Sequence, residues 1–189
     1  MPKVVDRAAR QREILDAAAK VFARKGFAAS RVDDVAAEAG IAKGTIYLYF
    51  GSRDALLTGV FASYVAETGQ VLAELGAGTA LERLARLVRG AMEMLDAHPD
   101  HVRVLLDVWA ANPPIDLVGV YRDYRAAIAE LLTEAAAGGE LRQGIDARHA
   151  TVIVAAIEGC LVQALVDPDM SLRELVEPVL HVCVEGIRR

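Results

Sequence analysis

Between residues 43 and 49 the chain reads KGTIYLY, which offers a cation, a gap, a hydroxyl and two phenols with no acid among them. On a short helix, Lys43, Gly44, Thr45, Tyr47 and Tyr49 form an outer surface while Ile46 turns inward. Those groups suit a helix laid in the major groove of duplex DNA. Lys43 can donate to guanine acceptors or a phosphate, and Thr45 can meet a base edge or a thymine methyl. Gly44 lets the backbone come close, and the phenols of Tyr47 and Tyr49 can donate to phosphate oxygens. Ser30 and Arg31, at the start of the preceding helix, and Arg53, just past the second, are placed for flanking phosphates. Phe50 is read as packing against the helix that follows.

Those groups need elements to hold them. Ala36 is small where two helices cross, Gly40 stands four residues later where the backbone must turn left-handed, and Ile46 follows as an apolar plug. That small–glycine–aliphatic spacing is the signature of a helix-turn-helix. Ser30-Arg-Val-Asp33, Thr79-Ala-Leu-Glu82 and Ser171-Leu-Arg-Glu174 have capping-box spacing, and Ser52 supplies a further N-cap. Stops fall at Gly26, Gly40, Gly76, Pro99, Pro113-Pro114, Gly138-Gly139 and Asp167-Pro168. The pattern predicts an all-α protein of about nine helices. Three short ones form an N-terminal helix-turn-helix head over residues 1–53, and a helical-bundle body follows over 54–189. Pro178 is expected to kink or interrupt the last helix.

Charge supports the same division. Net charge is −5, yet residues 1–55 hold ten Lys/Arg against seven Asp/Glu, so a cationic head precedes an anionic body. At 54 % hydrophobic residues the chain has ample apolar surface for a packed core. The N-terminus, MPKVVDRAARQRE, lacks an apolar segment, so no signal peptide is expected. The longest run without a charge, 55–66, is 12 residues, which argues against a membrane span needing about 20. With only two cysteines, Cys160 and Cys183, a cytoplasmic location is expected.

From Ala150 to Val166 a single charge, Glu158, interrupts apolar side chains that point in all directions. Such a helix must be covered on both sides, one by the core and one by a partner. The expected partner is a second copy, joined through the last two long helices by Val152, Ala155, Gly159, Val162, Val166, Val179 and Cys183. Cys160 and Cys183 read as small buried hydrophobes. His98 and His101 lie near Asp96 and Asp100, but Pro99 separates them, and no metal or other cofactor is expected. No phosphate loop, nucleophile elbow or credible triad is present, which argues against an enzyme.

The run AGIAKGTIYLYFGSRDALL, within a match over residues 10–57, resembles the TetR/AcrR transcriptional regulators. The body is similar to the betaine-regulator type of C-terminal domain in that family. Two positions depart from the pattern: Ala42 where a serine often caps the recognition helix, and Leu48 where an aromatic is frequent. The resemblance implies a homodimeric regulator, a repressor more often than an activator, binding a palindromic operator. It also implies an effector pocket between the middle helices, for which Phe61, Tyr64, Met92, Trp109, Tyr121, Tyr124, Arg125 and Gln163 are candidates. A helical small-molecule-binding protein without DNA binding would explain the body but leave the surface from Lys43 to Tyr49 unexplained.

Overall fold

The computed structural model describes residues 6–100, 103–105, 108, 115–167 and 169–189. Among them the protein is all-helical, and the extended backbone contributes one isolated antiparallel bridge, Leu141 with Arg188. Eight α-helices follow in order: α1 (Arg7–Lys25), α2 (Val32–Glu38), α3 (Lys43–Tyr47), α4 (Arg53–Ala73), α5 (Ala80–Ala97), α6 (Leu117–Ala137), α7 (His149–Val166) and α8 (Leu172–Cys183). A 3-10 turn (Glu185–Ile187) closes the chain, and residues 99–100, 103–105 and 108 are also helical. The chain divides into two compact units, residues 1–66 with 98–115, and residues 67–97 with 116–189.

In the first unit α1 packs on α2 and α2 on α3. Asp6 caps α1 by accepting from the Ala8 amide at 3.0 Å. Ile14, Ala18, Val21 and Phe22 bury the inner stripe of α1. Phe22 meets Phe27 edge to face at 5.2 Å, which seats the turn into α2. Val35, Ala36 and Ile46 fill the crossing of α2 and α3. Gly40 adopts φ +65°, the left-handed backbone that the helix-turn-helix spacing requires.

In the second unit α5 is central, packing on α6, α7 and α8. Its inner face is the stripe of Leu81, Leu84, Leu87, Val88, Met92 and Leu95. The Thr79–Glu82 capping box forms, with Thr79 N donating to Glu82 Oε2 at 3.0 Å and Glu82 N to Thr79 Oγ1 at 3.3 Å. Arg83 pairs with Glu134 on α6, and Arg89 with Glu177 on α8 at 2.7 Å. The chain's last residues are stitched to the loop after α6, Arg142 N donating to Ile187 O at 3.0 Å and Arg189 N to Glu140 O at 2.8 Å.

Three expectations are corrected. Ser30 does not cap α2: its hydroxyl turns inward to donate to Gly26 O at 2.7 Å, and the box shifts one residue, Arg31 N donating to Asp34 Oδ2 at 2.9 Å. Ser171 makes no side-chain cap at α8. Pro178 does not interrupt α8, which runs through it from Leu172 to Cys183. Pro178 is exposed, so the carbonyl its ring leaves unbonded lies on a solvated side. By length and composition alone α7 reaches the measure of a membrane span, with a mean hydropathy of 1.8 over 18 residues despite Glu158, a measure that apolar core helices also meet. Only 22 % of it is buried within the chain.

Gly40 has open space around an added Cβ, so a substitution there reports the backbone alone. Gly40→Ala is expected to lower stability by about 1–2 kcal/mol, with Gly40→Asn costing less, as read by chemical denaturation. Equal stability of all three proteins would remove the role given to this turn.

Candidate nucleic-acid interface

The α3 helix has five residues, too few to persist in water alone. It is held by one fully buried side chain, Ile46, and by the turn that follows, in which Tyr49 and Phe50 amides both bond to Ile46 O. No side chain caps its start; Ala42 offers only its carbonyl, which accepts from Thr45 N at 2.8 Å. The departure from serine at that position is thus left without a side-chain replacement.

The expected surface forms. Lys43 and Gly44 are exposed, Thr45 and Tyr49 are half-buried, and Tyr47 is 48 % exposed. Leu48 is 74 % exposed and adds an apolar knob at the end of the helix. An added Cβ at Gly44 would meet nothing within 4 Å, so nothing in the chain demands a glycine there. Tyr49 is not wholly available, because the Arg7 guanidinium lies 5.7 Å from its ring centroid. Phe50 is buried, as read from its position.

Lys43 is the residue whose surroundings differ most from expectation. Its Nζ sits 2.8 Å from Asp33 Oδ2, on the first turn of α2. That hydrogen bond raises the Lys43 pKa above its ordinary value. The ammonium is therefore fully charged but already engaged. In the sequence Asp33 stands out only as a cap of α2, because its partnership with Lys43 depends on two helices meeting. The cue was an acid in the first turn of one helix, ten residues before a lysine opening the next.

Two positions expected at phosphates have tasks in the fold. Ser30 is 1 % exposed and occupied by Gly26 O. Arg53 donates from one nitrogen to Ala28 O at 3.2 Å and Ser30 O at 2.8 Å, while its guanidinium stacks 4.3 Å from the Phe27 ring centroid. It fastens the start of α4 to the turn between α1 and α2. Arg31 remains exposed, with its backbone amide in the α2 cap. Two clamps join α1 to α2, Lys25 to Asp34 at 2.6 Å and Arg24 to Glu38 at 3.1 Å. The Lys25 ammonium, then the Arg31 amide, hold the Asp34 carboxyl below its usual range.

The effector candidates separate between the two units. Phe61, buried, and Tyr64, half-buried, lie 6.1 Å apart in the first. Met92 is fully buried core of the second, where Tyr121 and Tyr124 meet edge to face at 6.4 Å. Burial pushes the Tyr124 phenol up, a hydrogen bond with Thr68 works against that, and the Glu158 charge adds to it. Arg125 is half-buried, and Gln163 is exposed, bonding back to Gly159 O at 3.1 Å. Trp109 lies outside the described residues. An open cleft of about 550 Å³ is lined by Ala126, Ala129, Glu130, Thr133, Glu134 and Ala137 of α6, and includes none of these candidates. Among the described residues no three His, Cys, Asp or Glu are grouped to hold a metal; His101 lies outside them.

On α7 the surface expected to meet a second copy is outward. Val152 is 62 % and Val166 78 % exposed, Ala155 is exposed, and Val162 and Gly159 are half-buried. An added Cβ at Gly159 would meet nothing within 4 Å. On α8 the expectation is corrected. Val179 and Cys183 belong to the buried stripe with Leu172, Val176 and Leu180, whereas Val182 is 69 % exposed. Burial raises the thiol pKa of both Cys160 and Cys183.

The double engagement of Arg53 is testable. Arg53→Ala is expected to destabilise the protein by about 1–2 kcal/mol through lost carbonyl bonds and ring stacking. Arg53→Lys should restore little, since an ammonium lacks the planar fork. Thermal unfolding unchanged in both variants would return Arg53 to a role at DNA alone.

Comparison with known proteins places this geometry. Residues 14–60 match the family model for bacterial regulatory proteins of the tetR family, and residues 80–188 match that for the C-terminal part of BetI-type transcriptional repressors. The chain is 28 % identical over 182 residues to the fatty acid metabolism regulator protein of Bacillus subtilis, covering 93 % of this chain and 94 % of that protein. The structure of the fatty acid degradation regulator FadR from Bacillus halodurans superimposes with a TM-score of 0.81 at 26 % identity, covering 95 % of this chain and 97 % of that one. FadR from Bacillus subtilis, solved in complex with stearoyl-CoA, gives 0.75 at 26 % identity over 93 % and 98 % of the two chains. With both family regions present in order, behind a helix-turn-helix whose recognition face is formed and exposed, the chain belongs to the tetR family of transcriptional regulators.

Proposed function

We propose that the protein is a homodimeric, effector-responsive repressor in the cytoplasm, with a DNA-binding part over residues 1–53 and an effector-binding and dimerising part over 54–189. Each α3 lies in the major groove of one half-site of a palindromic operator. The observation that carries this reading is the outer face of α3, where Lys43, Gly44 and Tyr47 are exposed and Thr45 half-buried around a single buried Ile46. A glycine inside a helix is unfavourable by about 1 kcal/mol relative to alanine. No neighbour explains Gly44, so close approach of a partner's backbone or bases does. Lys43 then serves a base or phosphate, Thr45 a base edge, and Tyr47, Tyr49 and Arg31 the phosphates, with Ser30 and Arg53 shaping the turn behind them.

The dimer rests on the outward stripe of α7, Val152, Ala155, Gly159, Val162 and Val166, extended by Val182 of α8. These residues recur every three to four positions, the spacing of one helical face. An apolar helix only 22 % covered by its own chain needs a second surface, and Gly159 lets another backbone come near. The FadR likeness supports a fatty acyl thioester as effector class. Whatever the effector, it changes DNA affinity only by binding the two dimer conformations unequally. The family consists of regulators, and no catalytic role is assigned here.

An operator selected by the protein from a pool of random duplexes provides the assay. Lys43→Ala is expected to weaken operator binding by about tenfold or more. Gly44→Ala should stabilise the fold by about 0.5–1 kcal/mol while weakening operator binding; full affinity in both variants would defeat the assignment of α3. In sedimentation the protein should be a dimer and Val152→Arg a folded monomer. A Val152→Arg dimer of undiminished affinity would move the interface elsewhere.

A further inference from the structure

We infer that Asp33 is a specificity-determining residue, a carboxylate that withholds the Lys43 ammonium from the phosphates of non-operator DNA and releases it to base acceptors of the operator. This rests on the reading of α3 as the DNA-contacting helix. Asp33 lies on the first turn of α2 and reaches across the turn to the first residue of α3, 2.8 Å from Lys43 Nζ. Both side chains are about half exposed, 61 % and 49 %, so the pair sits on the outside of the head, not in its packing.

The neighbouring acids have structural tasks that Asp33 lacks. Asp34 caps α2 and clamps Lys25, and Glu38 clamps Arg24. Asp33 bonds the one cation of α3. A carboxylate on a surface that approaches a polyanion is electrostatically adverse, and it offsets the attraction that Lys43 would otherwise supply. An exposed pair of this kind contributes little to stability, so it exchanges readily.

Exchange on a lone phosphate replaces one anion by another and leaves Asp33 uncovered beside the backbone, which yields almost no gain. Exchange on guanine gives Lys43 two acceptors, O6 and N7, in a groove that only the matching register presents. Non-operator binding is phosphate attraction alone, so Lys43 stays on Asp33 there. Operator binding draws it away. Asp33 thus lowers the background more than it lowers the signal, acting through Lys43 and touching no base itself.

The test measures affinity of the full chain for the selected operator and for a random duplex of equal length, across a salt series. It compares the native protein with Asp33→Asn, Lys43→Ala and the double variant, each checked by thermal unfolding. Asp33→Asn should bind the random duplex about three- to tenfold more tightly, with a log–log salt slope steeper by about 0.9, and should gain less on the operator. In the Lys43→Ala background the same change should leave random-duplex affinity where Lys43→Ala puts it. Equal gains on both duplexes, or a gain that survives without Lys43, would overturn the inference by making Asp33 a simple repelling charge. Operator binding indifferent to Lys43→Ala would instead overturn the reading of α3. Operator binding that falls in Lys43→Ala, with an unaltered operator-to-random ratio in Asp33→Asn, would overturn the present inference alone.

Discussion

The groups that α3 offers to DNA depend on the burial of Ile46. The five residues of α3 cannot stay helical on their own propensity, and none of their other side chains is buried. One aliphatic side chain, set against α2 by the Gly40 turn and the small Ala36, therefore fixes the orientation of the whole recognition surface. The arrangement leaves the other residues of α3 free to be chosen for the groove. It also makes the surface unforgiving, since a shift at Ile46 would move Lys43, Thr45 and Tyr47 together.

Around that anchor the head divides its charges by task. Lys25, Arg24, Asp34 and Glu38 bind α1 to α2, and Arg53 binds α4 to the turn before α2. Of two residues with apparent DNA chemistry, Ser30 is buried and Arg53, half-exposed, commits one nitrogen to backbone carbonyls. Lys43 keeps its place but comes with a companion, Asp33. Of the ten cations in residues 1–55, Arg10, Arg24, Lys25 and Lys43 are matched by acids, so fewer cations are open to DNA than the count suggests, although the excess over acids is unchanged.

Much of this was legible from residue types and spacing. The Ala36, Gly40 and Ile46 triad, the Thr79–Glu82 box, the α5 stripe and the exposed face of α7 all follow from local periodicity, which is a property of one helix at a time. What escaped depends on two elements meeting. Whether Ser30 caps outward or bonds Gly26 O is decided by how α1 ends, and Arg53 is claimed by carbonyls 25 and 23 residues earlier. Val179 and Cys183 share an apolar pattern with Val182, and only the packing of α8 on α5 separates inner from outer. Effector candidates were the least legible, since a large apolar residue looks the same in sequence whether it fills a core, as Met92 does, or lines a cavity.

The helix α4 belongs to both compact units, its first 14 residues to one and its last seven to the other. It is thus a rod about 30 Å long, with Arg53 fastened at its first turn to the carbonyls of Ala28 and Ser30. A tilt of about 5° around one end of such a rod carries the other by about 2.6 Å, comparable to the length of a hydrogen bond. The length of α4 alone thus turns a small angle into a displacement of bonding size.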